Sequence, residues 1–550
     1  MKTKRALISV SNKSGVAIFA QELILLGWEI ISTGGTAASL RDAGISVRDI
    51  SDVTGFPEIL DGRLKTLHPN VHGAILGRRD LPLHLEQMEK HGIQNIDLVA
   101  VNLYPFPEVI AKEETTLEEA IENIDIGGPA MVRAAAKNYR DVIIVVDPAS
   151  YSVIVEELRR EGSLSLATRY KLAVEAFSHT AYYDSLISNY LRSRLEEEGG
   201  RLFPATITFP YVKAHELRYG ENPQQKAALY SEPISSAISL ASVKQIQGKK
   251  LSYNNINDLQ VAWELIREFF DPAIVAVKHT NPCAAATAPS LAEACQKINQ
   301  AGSDYLKGGI MVLNREIDEE TAKLALKTNI EILAAPSFSE AAMRVFLKTD
   351  GISLLKIILG DPLGISLETP LEMISEALPE ALPKAPPESS QVMPRRKKSG
   401  YDFKKVGGGL LLQEALQVFH NLDNWSIVTA RKPTRQELRD LIFALMVVRH
   451  AKSNAIVIAK RLQTLGIGAG QTSRAASVHN AVQQAGQNVK GSVMASDAYL
   501  TAKEGVEAAA AEGITAIIQP GGSEKDSEVI ETCKKYNIAM IFTNQRYLKH

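Results

Sequence analysis

Several short runs bring hydroxyl, cationic and imidazole side chains together with glycines. Two of them, Ser9-Val10-Ser11-Asn12-Lys13-Ser14-Gly15 and Ser32-Thr33-Gly34-Gly35-Thr36, each follow an apolar stretch and lead into a helical pattern. At such a turn glycine lets the backbone approach a ligand, and the free N–H groups of a helix start bind phosphate. Neither run fits the P-loop or GxGxxG spacing, which argues against ATP and dinucleotides. A hydroxyl N-cap on a tight turn is the bland alternative for either one. Two in one small unit point to a monophosphate ligand.

Arg63-Leu64-Lys65-Thr66-Leu67-His68-Pro69 follows, with His72 close by. In an extended segment, alternation puts Arg63 and Lys65 on one side, where cations would stabilise an oxyanion; a solvated basic loop fits the spacing too. Asp125-Ile126-Gly127-Gly128-Pro129 then precedes a short helix carrying Arg133 and Lys137 on one face. Asp125 and Lys137 read either as an acid/base pair or as a surface ion pair. Further along, Lys278-His279-Thr280-Asn281-Pro282-Cys283 follows a buried strand. An imidazole titrating near neutrality can take a proton from an attacking amine. The H-x-E…PCxxC signature of zinc deaminases is incomplete here, so no metal is expected. Leu217–Gln225, Lys452-Ser453-Asn454, Gly466–Arg474 and Pro520-Gly521-Gly522-Ser523 are further polar clusters. The run Gly466–Arg474 reads as a glycine-rich turn whose Arg474 suits a phosphate or carboxylate.

The elements that must position these groups are α/β. Ala6–Val10, Trp28–Ser32, Leu98–Tyr104 and Val142–Asp147 read as strands, with helical patterns at Gly15–Gly27 and Thr36–Gly44. The alternation implies a doubly wound parallel sheet with ligands at its carboxyl ends. Charged helical sequence from Ser150 to Glu198 ends at Gly199-Gly200, which divides the chain into domains 1–198 and 199–550. In the second, strands fall near Ala273–Val277, Ala455–Ala459 and Ala516–Gln519, and AIVAVK and AIVIAK hint at duplication. The proline-rich stretch Leu378–Lys405, with the basic run Arg395–Lys398, reads as a mobile linker or surface insertion.

Composition narrows the class. Sixty-one Lys and Arg against 63 Asp and Glu leave a net charge of −2, which gives no field for a nucleic acid. Three cysteines among 550 residues make no disulfide framework. No apolar run nears the roughly 20 residues that span a bilayer. The first residues lack the apolar length of a signal peptide. A cytoplasmic protein with small-molecule ligands is expected.

Longer strings carry a resemblance. ISVSNKSG, STGGT, VTGFPEILDGRLKTLHPNVHGAIL, NLYPF, ENIDIGGPAMVRAAAKN, LRYGENPQQ, LSYNNIND, AIVAVKHTNPC, KSNAIV, GIGAGQTSR, ASDAY and IIQPGGS together resemble the bifunctional purine-biosynthesis family that joins AICAR transformylase to IMP cyclohydrolase. The resemblance implies a methylglyoxal-synthase-like first domain that closes formyl-AICAR (FAICAR) to IMP. Lys65, Tyr104, Asp125 and Lys137 would be its catalytic set. Ser9, Ser11, Lys13, Ser32, Gly35, Thr36, Arg63, Thr66 and Asn102 would hold the nucleotide. It implies a second domain with a duplicated cytidine-deaminase-like fold that moves a formyl group from 10-formyltetrahydrofolate to the 5-amine of AICAR. There His279 would be the base, Lys278 would stabilise the tetrahedral state, and Asn454 would join them. Arg218, Tyr219, Asn222 and Arg474 would bind substrate. A homodimer with the transformylase site at its interface is also implied. Family strings NPHQ, NPCG, SDAFFPF and RHFRH read here NPQQ, NPCA, SDAYLTA and RYLKH. Those changes motivate a second reading, in which only ring closure is active and the second domain serves dimerisation and nucleotide binding.

Overall fold

The computed structural model describes residues 3–60, 62–112, 114–197, 203–233, 238–300, 305–360, 401–416, 424–500 and 503–550. The chain forms two compact units, one of residues 1–212 with 231–234, the other of 213–230 with 235–550. Among the described residues no helix is long and apolar enough to cross a membrane.

The first unit is built on β1 (Arg5–Val10), β2 (Glu29–Ser32), β3 (Arg48–Asp49), β4 (Leu98–Asn102) and β5 (Ile143–Val145), all parallel, in the order β3-β2-β1-β4-β5. Every residue of β4 and β5 is buried, as expected where helices cover both faces. Helix α1 (Val16–Leu25) follows β1 and α2 (Gly34–Asp42) follows β2. Helix α3 (Gly127–Lys137) leads into β5 and packs on the long α4 (Leu166–Glu197). β4 stops at Asn102, short of the expected Tyr104, because Pro105 removes a ladder donor.

The second unit contains one twelve-stranded sheet. Its first half comprises α5 (Tyr253–Ile266), β6 (Ala273–Lys278), β7 (Asn281–Thr287), α6 (Leu291–Gln300), β8 (Ile310–Leu313), β9 (Ile332–Ala335) and β10 (Ser353–Lys356). The other half repeats the plan: α7 (Arg435–Val448), β11 (Ile456–Lys460), β12 (Gln463–Gly468), α8 (Arg474–Ala485), β13 (Val493–Ser496), β14 (Ala516–Gln519) and β15 (Ala539–Phe542). Its ten inner strands run β15-β14-β13-β11-β12-β7-β6-β8-β9-β10, an order that reads the same from either end, as do the directions of pairing. The halves meet at β7 and β12, which are antiparallel with Ala286 opposite Gln463. Side chains alternate across the strands. Val275, Val277, Val457 and Ala459 face a core shared with α5 and α7, whereas Ile274 and Ile456 face separate cores under the other helices.

The stretch expected to be a linker, Leu378–Lys405, lies outside the described residues as far as Gly400. Its end is not linker: Tyr401–Val406 pairs with Gly409–Glu414 in a two-stranded hairpin.

Candidate active sites

In the first unit the chain leaves β1 to one side and returns at β4 on the other, so the carboxyl ends of β1 and β4 open a crevice. Asn102 closes β4. Its Oδ1 accepts the N–H groups of Ser11 (2.7 Å) and Asn12 (2.8 Å), and its Nδ2 donates to the Asn12 carbonyl (3.1 Å). This fixes the exposed turn that carries Lys13. Helix α1 starts after Gly15, in the left-handed region at φ 70°, without a side-chain cap. Helix α2 is uncapped as well, because the Thr33 hydroxyl bonds Ser9 Oγ at 2.7 Å. Two helix starts thus leave donors open at one end of the sheet, with Gly34 and Gly35 exposed.

Lys65 reaches this place: a Cβ added to Gly34 would stand 3.8 Å from its Nζ, which is also 3.7 Å from Glu58 Oε1. Thr66 is buried against the start of α3, its Oγ1 2.7 Å from where Gly127 would carry a Cβ. Asp125 precedes the same helix. Its Oδ1 accepts the Gly128 N–H (2.9 Å), and its own N–H donates to the Tyr183 hydroxyl (2.9 Å). Burial pushes the Asp125 carboxyl up, while the Gly128 N–H and the Lys65 charge pull it down. Burial pushes the Tyr183 phenol up to about 12. Tyr104, just past β4, is exposed.

Other expected groups are spent elsewhere. The Ser32 hydroxyl donates to the Ile8 carbonyl (2.6 Å), and Thr36 Oγ1 both donates to the Val10 carbonyl (3.0 Å) and accepts its N–H (3.1 Å). Both are buried; Ser32 ties β2 to β1, and Thr36 ties the start of α2 to β1. Arg63 does not share one side of an extended segment with Lys65, because the chain turns at Ile59–Leu64 and Arg63 pairs with Glu122. The Asp125–Lys137 pair does not form within the chain. Lys137 is the last residue of α3, about 15 Å of helix from its first turn.

In the second unit β6 ends at the half-buried Lys278, and the exposed His279 with the half-buried Thr280 makes the turn into β7 at φ 54° and 59°. Two successive left-handed non-glycine residues cost of order 1–3 kcal/mol each. The Asp258 carboxylate of α5 offsets this by accepting the N–H groups of Thr280 (2.6 Å) and His279 (3.2 Å). Burial pushes that carboxyl up, against those two N–H groups and His279. Lys278 Nζ donates to the Lys307 carbonyl at 2.9 Å.

Because β6 and β11 run in opposite directions, the end of one meets the start of the other. There Asn281 Oδ1 accepts the Lys452 N–H at 2.9 Å, joining the His279 turn to Lys452-Ser453-Asn454. Asn454 Nδ2 donates to the Gln471 carbonyl (2.9 Å), and its Oδ1 accepts from Arg474 Nη2 (2.8 Å). Arg474 also donates to Ser496 Oγ (3.0 Å) and to the buried Asp497, which accepts from Ser453 Oγ as well. Arg218 and Tyr219 border the same end: the Arg218 guanidinium lies 4.8 Å over the Tyr219 ring and 3.9 Å from Glu331 at the start of β9. Asn222 is folded onto Gln225, whose Oε1 takes its N–H (2.9 Å) and Nδ2 (3.1 Å). The structure therefore brings Lys278, His279, Asn454, Arg474, Arg218 and Tyr219 to one end of the sheet.

Two readings need correction. Gly466 and Gly468 belong to strand β12, not to a ligand turn, because a Cβ at either would meet a carbonyl of α8 at 1.9 Å. Arg474 is committed to Asp497 and Asn454. Of the changed SDAYLTA stretch, two described residues are accommodated: Leu500 is buried in a core, and Tyr499 lies under Arg546 at 4.5 Å. Sequence reasoning missed Asp258, Gln471 and Asp497. All three sit inside quoted motifs, but only the fold shows what they hold.

Comparison with known proteins adds to this geometry. Residues 135–365 and 388–484 match the family model described as AICARFT/IMPCHase bienzyme, and residues 15–130 match the MGS-like domain. Over 547 residues the chain is 49% identical to the "Bifunctional purine biosynthesis protein PurH" of Acetivibrio thermocellus and 47% identical to that of Ruminiclostridium cellulolyticum; each alignment covers 100% of both chains. The protein of the same name from Thermoanaerobacter sp. is 48% identical over 547 residues, again covering 100% of both chains.

Proposed function

Since the chain belongs to the AICARFT/IMPCHase bienzyme family and is a bifunctional AICAR formyltransferase and IMP cyclohydrolase of purine biosynthesis, we propose that its two sheet-end sites divide the two reactions. The reading in which the second unit has lost its chemistry is not favoured, because full-length bifunctional relatives match it throughout.

The crevice of the first unit closes FAICAR. The phosphate sits on the open N-termini of α1 and α2 beside Lys13 and Gly35. The carboxamide nitrogen attacks the formyl carbon, the developing oxyanion is met by Lys65 and Tyr104, and the proton the nitrogen sheds converts that oxygen to a hydroxyl. Asp125, whose burial favours the protonated form, gives its proton to this hydroxyl, which leaves as water while the nitrogen that carried the formyl group forms the new C=N bond and returns its proton to the Asp125 carboxylate. Asn102, Ser32 and Thr36 act by holding the strand ends in place. Lys137 keeps only the resemblance as its support.

Formyl transfer takes place in the second unit and uses a folate co-substrate, which we propose is 10-formyltetrahydrofolate. The 5-amine of AICAR is a poor nucleophile because its lone pair is delocalised into the imidazole ring. Proton removal by His279 and oxyanion stabilisation by Lys278 answer that difficulty. Asn454, held by Arg474 and Gln471, orients the substrate beside Arg218 and Tyr219. The observation that carries this assignment is the Asn281–Lys452 bond, which joins the imidazole turn to the Asn454–Arg474 group. A cytoplasmic homodimer completes the proposal and rests on the resemblance.

The test supplies purified protein with AICAR and 10-formyltetrahydrofolate and follows tetrahydrofolate release, with FAICAR closure measured separately. Both signals are expected. Closure without tetrahydrofolate release would remove the second assignment.

A further inference from the structure

We propose that Asp258 is a positioning residue of the formyl-transfer site, clamping the left-handed turn that presents His279 and acting through that imidazole alone. The inference rests on the reading of His279 as the base.

The duplication supplies an internal comparison. Asp258 is the sixth residue of α5, and Asp440 is the sixth residue of α7. Both helices begin with a capping box, Ser252 with Asn255 and Thr434 with Glu437. Asp440 accepts the N–H groups of Arg461 (3.0 Å) and Leu462 (2.7 Å), which turn from β11 into β12 at φ 52° and 57°. Lys460 Nζ donates to the Lys490 carbonyl at 2.7 Å, as Lys278 Nζ does to the Lys307 carbonyl at 2.9 Å. The clamp, the lysine and the strained turn are therefore common to both repeats. What the first copy adds is an exposed imidazole at the first position of the turn.

The two turns sit at opposite ends of the sheet, so loosening the second leaves His279 untouched. Besides Asp258, the first turn is tied to the rest of the unit on its far side, where Asn281 Oδ1 accepts the Lys452 N–H (2.9 Å). Thr280 Oγ1 and Asn281 Nδ2 both donate to the His279 carbonyl, at 2.7 and 3.2 Å, which closes the turn upon itself without attaching it to the core. Asp258 is next to Leu259, Val261 and Ala262, which are packed in the core, so its carboxylate is a fixed point. Left-handed non-glycine residues persist only where the surroundings hold them there.

Asp258→Asn replaces one acceptor oxygen by an amide that faces a backbone N–H. We expect the formyl-transfer kcat to fall at least tenfold, with the KM for AICAR changed less than threefold and FAICAR closure unchanged within twofold. Asp440→Asn should leave all three within threefold. Adding Thr280→Gly to Asp258→Asn should recover at least threefold in kcat, because glycine adopts positive φ freely. His279→Ala is measured in parallel. If it keeps formyl transfer, the base assignment fails. If it loses transfer while Asp258→Asn keeps kcat within twofold, the base stands and the clamp is refuted. Equal losses in the Asp258 and Asp440 variants, or no recovery with Thr280→Gly, refute it also. Asp258→Glu is read by the same criteria if the Asn variant does not fold.

Discussion

Burial and a neighbouring amine pull the carboxyl of Asp125 in opposite directions, and burial is the larger. With its folded pKa raised, protonation favours the folded state. That contribution is complete below the ordinary Asp value of about 3.9 and is lost as pH rises through the raised one. Ionising the group therefore costs stability. Asp125→Asn keeps the acceptor for the Gly128 N–H and removes the charge. It should raise the melting temperature of the first unit at pH 7, at about 2–4 °C per kcal/mol for a unit of this size, with the gap closing toward pH 3. Calorimetry across that range checks the sign; a lower Tm at pH 7 would contradict it. Single residues were also where the sequence was least legible. Ser32 and Thr36 have the side chains of phosphate ligands, yet their hydroxyls satisfy backbone groups of the neighbouring strand. Residue type cannot distinguish those fates, because both need a hydroxyl at a strand end.

Strands and helices were easier to read. Ala6–Val10, Ala273–Val277 and Ala516–Gln519 were visible as β-branched or alanine-rich runs bounded by polar turns, and each occupies a strand core. The run Gly466-Ile467-Gly468 misled because glycine signals both a ligand turn and close packing. In β12 the missing side chains let the strand lie on the carbonyls of α8. Gly468→Ala should destabilise the second unit by about 1–3 kcal/mol, the usual cost of overpacking. It should also displace Arg474 and so lower formyl transfer without altering FAICAR closure. Unchanged denaturant unfolding would count against the contact. The duplication was legible only as AIVAVK and AIVIAK. The repeats share backbone shape and one aspartate per helix, while the turns themselves read His-Thr in one copy and Arg-Leu in the other.

At the scale of the molecule, two reactions on two separately packed units should respond separately to substitution. Lys65→Ala should abolish IMP formation from FAICAR and spare formyl transfer, and His279→Ala should do the reverse; equal loss of both activities in either variant would refute separate sites. The segment after β15 also belongs to this scale, since it returns across the second unit. Tyr547 donates its N–H to the Asp497 carbonyl (2.9 Å), and Lys549 bonds Ser453 by its backbone and Glu264 by its amine (2.9 Å). Burial alone would raise Glu264, but the Lys549 amine hydrogen-bonded to it (2.9 Å) and the His450 ring 3.8 Å away hold it down to about 2. A depressed carboxylate contributes stability above its ordinary value of about 4.3 and loses it as pH falls toward about 2. Lys549→Ala should therefore shift acid unfolding of this unit to higher pH, read by near-ultraviolet circular dichroism. An unchanged acid midpoint would show that the pair contributes little.

The seam between the repeats has a consequence for any attempt to part them. β7 and β12 lie side by side, and Thr464 Oγ1 accepts the Ala285 N–H across the join at 2.9 Å. Severing the gene in the middle would bare one raw strand edge on each fragment, a template for sticking to its own kind.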